Sequence, residues 1–125
     1  MANEKIYDLE ERLIAYAVWV MNVVEELPNT YASRHLSGQL VRSGTAPALV
    51  YGEAQSAESR KDFVHKMKIA LKELRETSVC LKIIQRKSDL LSDVRLASGL
   101  QGANELVAIF VKSIETAKRN DRRRS

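Results

Sequence analysis

Seven basic residues follow one another at helical spacing in the middle of the chain. They are Lys61, His65, Lys68, Lys72, Arg75, Lys82 and Arg86. Steps of three, four or seven residues return to the same side of an α-helix, so these side chains are predicted to share one face, interrupted only by Val79. Lysine and arginine in this arrangement neutralise successive phosphates of a nucleic acid. The six lysines and arginines of the set are therefore candidates for binding the backbone of RNA or DNA.

Other features of the same segment favour a solvated helix face instead. Glu73 and Glu76 flank the basic residues and reduce their field. No aromatic residue alternates with the basic ones, so stacking on bases is not provided for. No RNA-recognition motif is present. If nucleic acid binds, recognition is predicted to depend on shape or backbone, without strong sequence preference.

The residues that carry most enzyme chemistry are sparse and scattered. His35 and His65 are the only histidines, and neither has a second ligand three or four residues further on. The Glu-x-x-His pairs of di-iron bundles are missing, the nearest approach being Asp62 with His65. The serines are of the capping or small-packing type, and there is no glycine-rich loop to hold a phosphate. The sequence predicts a non-enzymatic protein with no metal and no cofactor.

Composition is typical of a compact helical protein. Of 125 residues, 45% are apolar and 29% charged, with five glycines, two prolines and a formal charge of +4, which together argue against a disordered chain. Cys80 is the only cysteine, which excludes an intrachain disulfide and fits a reducing compartment. No signal-peptide pattern opens the chain, and the longest apolar stretch is too short for a membrane span. We expect a cytoplasmic protein that does not insert into membranes.

Four helices are predicted from apolar residues that repeat at steps of three and four. They run from about Tyr7 to Glu26, from an N-cap at Thr30 towards Tyr51, from Ser59 to about Lys87, and from 88–92 to about Lys118. The apolar stripes expected to form the core are Ile6, Leu9, Leu13, Tyr16, Val20, Val23 and Leu27 on the first helix, Phe63, Met67, Ala70, Leu74, Thr77, Leu81 and Ile84 on the third, and Leu96, Leu100, Ala103, Val107, Phe110, Ile114 and Ala117 on the fourth.

These segments, joined by short loops, predict an all-α fold: an antiparallel up-and-down four-helix bundle. Pro47 is expected to kink or break the second helix, because proline removes a backbone hydrogen bond. Gly52 is expected to help end that helix. Residues 1–120 form one domain in this interpretation, and residues 121–125 form a basic, frayed tail.

A second apolar stripe lies on the first helix, away from its core stripe. It consists of Tyr7, Ile14, Val18 and Met21. Exposed apolar surface of this extent marks an interface, so the stripe predicts self-association, the alternative being a helix buried on several sides by its own bundle. Arg42, which lies among small residues of the second helix, is a further candidate for the interface. The alternative there is tight packing with a bend set by proline.

One block of the chain resembles a known bacterial family. It begins with Arg42-Ser43-Gly44-Thr45-Ala46-Pro47-Ala48, continues through Tyr51-Gly52-Glu53-Ala54-Gln55, and extends over 63–77. The block is similar to the four-helix-bundle family named after proteins encoded in intervening sequences of 23S ribosomal RNA genes. The resemblance covers about residues 7–118 and is densest over 35–84. It departs at Val50, near which many relatives carry an asparagine.

This resemblance implies a small cytoplasmic helical bundle that forms rings, pentamers among them. For most members no biochemical activity is established. A related branch contains the accessory proteins of diversity-generating retroelements, which are basic pentamers that bind nucleic acid and a reverse transcriptase. The alternative to nucleic-acid binding is therefore a protein-interaction scaffold, or an accessory subunit for a partner such as a reverse transcriptase.

Overall fold

The computed structural model describes residues 2–87 and 90–124, with the side chains of 9–87 and 90–120. It contains four α-helices: α1 (Ala2–Glu26), α2 (Tyr31–Gln55), α3 (Arg60–Lys87) and α4 (Asp93–Arg124). No strand occurs in the described ranges. The predicted all-α four-helix bundle is confirmed.

Three of the helices begin directly after a hydroxyl side chain that caps them. Thr30 Oγ1 accepts a hydrogen bond from the backbone N–H of Ser33 at 3.2 Å. In the same way Ser59 Oγ accepts from Asp62 N at 3.0 Å, and Ser92 Oγ accepts from the backbone N–H three residues on at 3.4 Å. Each cap satisfies a helix N–H that has no partner within its own helix, and so fixes where the helix starts.

The helix ends differ from the predicted ones at several points. Backbone helix begins at Ala2, earlier than predicted, and α4 continues to Arg124. The second helix continues to Gln55, so Gly52 lies inside it and is not its C-cap. Residues 121–125 were predicted to form a basic tail. Their side chains lie outside the described residues, so this remains a prediction.

The second helix runs through Pro47 without interruption, so of the two predicted alternatives a break does not occur. Proline at this position still deprives the carbonyl of Ser43 of its usual donor. Pro47 is buried, as are Ser43 and Gly44 on the same helix. Because α2 packs against both α1 and α3, contacts on both flanks compensate for the missing hydrogen bond.

The core forms where the predicted stripes meet. On α3 every predicted core residue except the half-buried Phe63 is buried, and on α1 the stripe is buried from Leu13 to Leu27. Leu106 is buried although it was not part of the predicted α4 stripe. Ile6 lies outside the residues whose side chains are described. Buried members of the α4 stripe are Leu96, Ala103, Phe110, Ile114 and Ala117, with Leu100 and Val107 half-buried.

The helices pack in a ring order, α1 beside α2, α2 beside α3, α3 beside α4, and α4 beside α1. Between described residues α1 and α3 do not approach each other, so they lie diagonally across the bundle. Cross-helix ion pairs agree with antiparallel neighbours, since Arg12 of α1 lies 3.5 Å from Glu105 of α4, and Glu26 near the end of α1 pairs with Arg95 at the start of α4.

Two aromatic side chains fill the space between α1 and α4. Tyr16 and Trp19 stack with ring centroids 5.5 Å apart. The hydroxyl of Tyr16 donates to the carbonyl of Gly99 at 2.9 Å, and a Cβ at Gly99 would lie 2.1 Å from the Trp19 ring. A glycine is thus required for the rings to reach the α4 backbone.

Replacing Tyr16 by phenylalanine is expected to lower the free energy of unfolding by about 1 kcal/mol, because it removes one buried hydrogen bond while keeping the ring. Burial raises the pKa of Tyr16. The unfolded chain therefore ionises first, and the wild type should lose stability as pH rises above about 10, where the variant has no such loss from this site. Urea titrations at neutral and alkaline pH measure both effects. Tyr31→Phe is the control, since that ring is 82% exposed.

Candidate nucleic-acid interface

All six candidate lysines and arginines of α3 are exposed and share one face, as predicted. From Lys61 to Arg86 the face is about 38 Å long, at 1.5 Å per residue. None of the six has a carboxylate partner among the side chains that the structure describes. The six side chains therefore form a row of positive charge along α3 that no described carboxylate neutralises.

The two glutamates predicted to reduce this field are neutralised from α2. Arg42 donates to Glu76 at 2.6 Å and lies 3.6 Å from the carboxylate of Glu73. The buried Glu73 oxygen has no hydrogen bond, so this longer ion pair is its only described compensation. Glu53 pairs with Lys66 at 3.4 Å. Arg42 therefore neutralises the carboxylates that lie beside the basic face. Its position in the sequence did not indicate this role.

The small residues beside Arg42 pack within the chain. A Cβ at Gly44 would meet Val20 of α1 at 2.7 Å, and the hydroxyl of Thr77 on α3 donates to Ser43 at 2.9 Å. Gly38, by contrast, has nothing within 4 Å of an added Cβ. At Ser43 and Gly44 the structure agrees with tight packing, which was one of the two alternatives.

A cleft lies at the N-terminal part of the basic face. It has a volume of about 330 Å³ and lies between the start of α3 and the end of α4. Its lining is basic apart from one valine, and comprises Arg60, Lys61, Val64, His65, Lys68 and Lys118. Sequence reasoning missed Lys118 and Arg60. The signal for Lys118 was available, because an antiparallel α4 must return its last turns to the start of α3.

The C-terminal part of the face has a different character. Val79 and Ile83 are 55% and 49% exposed, and lie among Lys82 and Arg86. We therefore divide the face into a basic half, residues 60–68, and a mixed half, residues 72–86. Phosphate neutralisation suits the first, whereas exposed apolar groups between cations suit a protein partner.

The second apolar stripe of α1 is exposed as well. Ile14, Val18 and Met21 are 44%, 50% and 48% exposed and lie opposite the core stripe. Tyr7, the fourth predicted member, lies outside the residues whose side chains are described. We call the three described residues the α1 stripe. Arg42, the other interface candidate, lies on a different helix and is engaged by Glu76 of its own chain.

The described side chains form no cluster of three or more histidines, cysteines or acidic groups that would bind a metal ion. Both histidines are exposed.

Burial, together with the charge of Glu76, raises the pKa of the Cys80 thiol, and its sulfur donates to the Leu36 carbonyl at 3.8 Å. The thiol is thus held in its unreactive neutral form. In the described parts of the chain, no helix combines the length and apolarity that crossing a bilayer requires.

Comparison with known proteins places this architecture in a family. Residues 7–112 match the family described as 23S rRNA-intervening sequence protein. The fold is also similar to the crystal structure of a protein of unknown function from the S23 ribosomal protein family of Bacteroides thetaiotaomicron. That protein is 29% identical, with a TM-score of 0.79, over 85% of this chain and 97% of the other. No curated protein matches the chain significantly.

Proposed function

Because this chain belongs to the 23S rRNA-intervening sequence protein family, a match that covers residues 7–112, we propose that it acts as a non-enzymatic, oligomeric helical bundle that binds the backbone of RNA or DNA. The observation that carries the proposal is the row of exposed cations on α3 that have no carboxylate partner among the described side chains. At the N-terminal end of this row is the cleft, where Lys61 and Lys68 lie beside Lys118 of a second helix.

The chemistry of this face points to phosphates and not to bases. Each lysine or arginine that contacts a phosphate releases a condensed counterion, which makes affinity fall steeply with salt. The face offers no aromatic ring on which a base could stack. The apolar residues exposed in its mixed half, Val79 and Ile83, are aliphatic. Binding should therefore be governed by backbone geometry, with little dependence on sequence.

A light-scattering measurement of mass tests the proposal. The purified protein is mixed with a short RNA duplex of about 20 base pairs at about 50 mM and about 200 mM salt. We expect the complex to gain mass at the lower salt and to lose it at the higher. Absence of any mass gain at either salt, with duplex RNA and with DNA, would refute nucleic-acid binding.

A second candidate function is a protein-interaction scaffold. The observation that favours it is the α1 stripe, three apolar side chains that are each about half exposed. Family resemblance supports a ring of identical subunits, a pentamer among the options, that presents a surface to a partner such as a reverse transcriptase. A mass above that of one chain without RNA, together with indifference to RNA at both salts, would favour this function over the first.

A further inference from the structure

The α1 stripe is bounded by negative charge at both ends. Glu11 and Glu25 are exposed on the same side of α1 as Ile14, Val18 and Met21. They are two heptads apart, about 21 Å along the helix axis. Neither has an ion-pair partner within the described part of the chain. A complementary partner surface would carry a basic group at each end and apolar groups between them.

The mixed half of α3 has that opposite pattern. Val79 and Ile83 form its apolar centre, and Lys72 and Arg86 lie on either side of them on the same exposed face. These two cations are also two heptads apart, about 21 Å along the helix. The two surfaces therefore match in length and in the sign of charge at both ends. Each carries exposed apolar groups between its charged ends, which on α3 lie beside Arg75 and Lys82.

We infer that the α1 stripe of one copy of this chain packs against the mixed half of α3 of a second copy. Pairing like with like is disfavoured, because two α1 stripes would oppose carboxylates and two mixed halves would oppose cations. Pairing α1 with α3 joins opposite charges at both ends and removes five exposed aliphatic or thioether side chains from water.

This pairing fixes the kind of assembly. Helices α1 and α3 lie diagonally across the bundle, so each copy offers the two complementary surfaces on opposite sides. Such a contact is heterologous, and it continues from copy to copy, giving a ring where the rotation between copies closes and an open filament where it does not. The basic half of α3, with Lys61 and Lys68, stays outside the contact. The inference rests on the self-association proposed above, and it names the surfaces that carry it.

Charge reversal with rescue tests the pairing. In one variant Glu11 and Glu25 are changed to lysine, and in a second Lys72 and Arg86 are changed to glutamate. We expect each double variant to weaken self-association by about tenfold or more at low salt, because like charges then face each other at both ends. The quadruple variant restores opposite charges, whichever way the two helices run, and should recover the wild-type mass.

Light scattering at matched protein concentrations, with circular dichroism to check helicity, separates the outcomes. The control is Glu58→Lys with Glu115→Lys, an equal change of charge on exposed residues elsewhere, which should leave the mass unchanged. A multimeric wild type whose mass survives both double variants, or is not recovered in the quadruple variant, would overturn the pairing but leave self-association standing. A monomeric wild type would overturn both.

Discussion

Changing Lys61 and Lys68 together to glutamate is expected to reduce the affinity for an RNA duplex by about a hundredfold or more at low salt. Both side chains line the cleft at the N-terminal end of the basic face. The variant removes two contacts to phosphate, each worth about 1.5–3 kcal/mol, and places carboxylates where phosphate would bind. The dependence of log affinity on log salt should become shallower by about two. Fluorescence anisotropy at several salt concentrations measures both quantities.

A matched variant separates a local site from net charge. Arg34→Glu with Lys112→Glu changes the formal charge by the same amount at exposed positions outside the basic face. Lys112 precedes Lys118 by six residues, which places it about 120° away around α4. This variant should bind almost as well as the wild type. Equal losses in the two variants would mean that the whole surface attracts RNA and that the face on α3 is not a site.

The apolar pattern predicted the bundle because one face of each helix must be removed from water. On α3 the steps from Met67 to Ile84 correspond residue by residue to buried side chains. The starts of α2, α3 and α4 were predictable for a local reason, since a serine or threonine oxygen satisfies an N–H a few residues later in each case. Such short-range chemistry needs no knowledge of neighbouring helices.

Where prediction failed, packing between helices outweighed local propensity. Gly52 was predicted to help end α2, yet the helix continues past it to Gln55, because its two flanks pack on α1 and α3. The hydrogen bond from Tyr16 to the Gly99 backbone joins residues far apart in the chain. No pattern along the sequence marks a contact of this kind before the helices are assembled.

The candidate site was predictable in the same partial way. Exposure of the six basic residues followed from helical spacing alone. The neutralisation of Glu73 and Glu76 by Arg42, and the position of Lys118 in the cleft, depend on which helices are neighbours. The division into a basic and a mixed half was predictable only in part, since Val79 interrupts the basic spacing in the sequence whereas Ile83 lies outside that spacing.

Changing Gly44 to alanine is expected to lower the free energy of unfolding by about 1–3 kcal/mol. The new Cβ would lie 2.7 and 2.8 Å from the two γ-methyl groups of Val20, and 3.1 Å from its Cβ. Rotating Val20 does not help, because both methyls are in contact and a β-branched side chain has few allowed rotamers. The backbones of α1 and α2 must separate instead. Urea denaturation measures the loss.

Gly38→Ala on the same helix is the matched control, because an added Cβ there meets nothing within 4 Å. Alanine is the better helix former, so this variant should gain about 0.5–1 kcal/mol. Opposite signs at two glycines of one helix would show that contact with α1, and not helix propensity, decides the effect. In a Val20→Ala background, which removes both methyls, Gly44→Ala should cost much less. An equal cost in both backgrounds would contradict the close approach of α1 and α2 at this position.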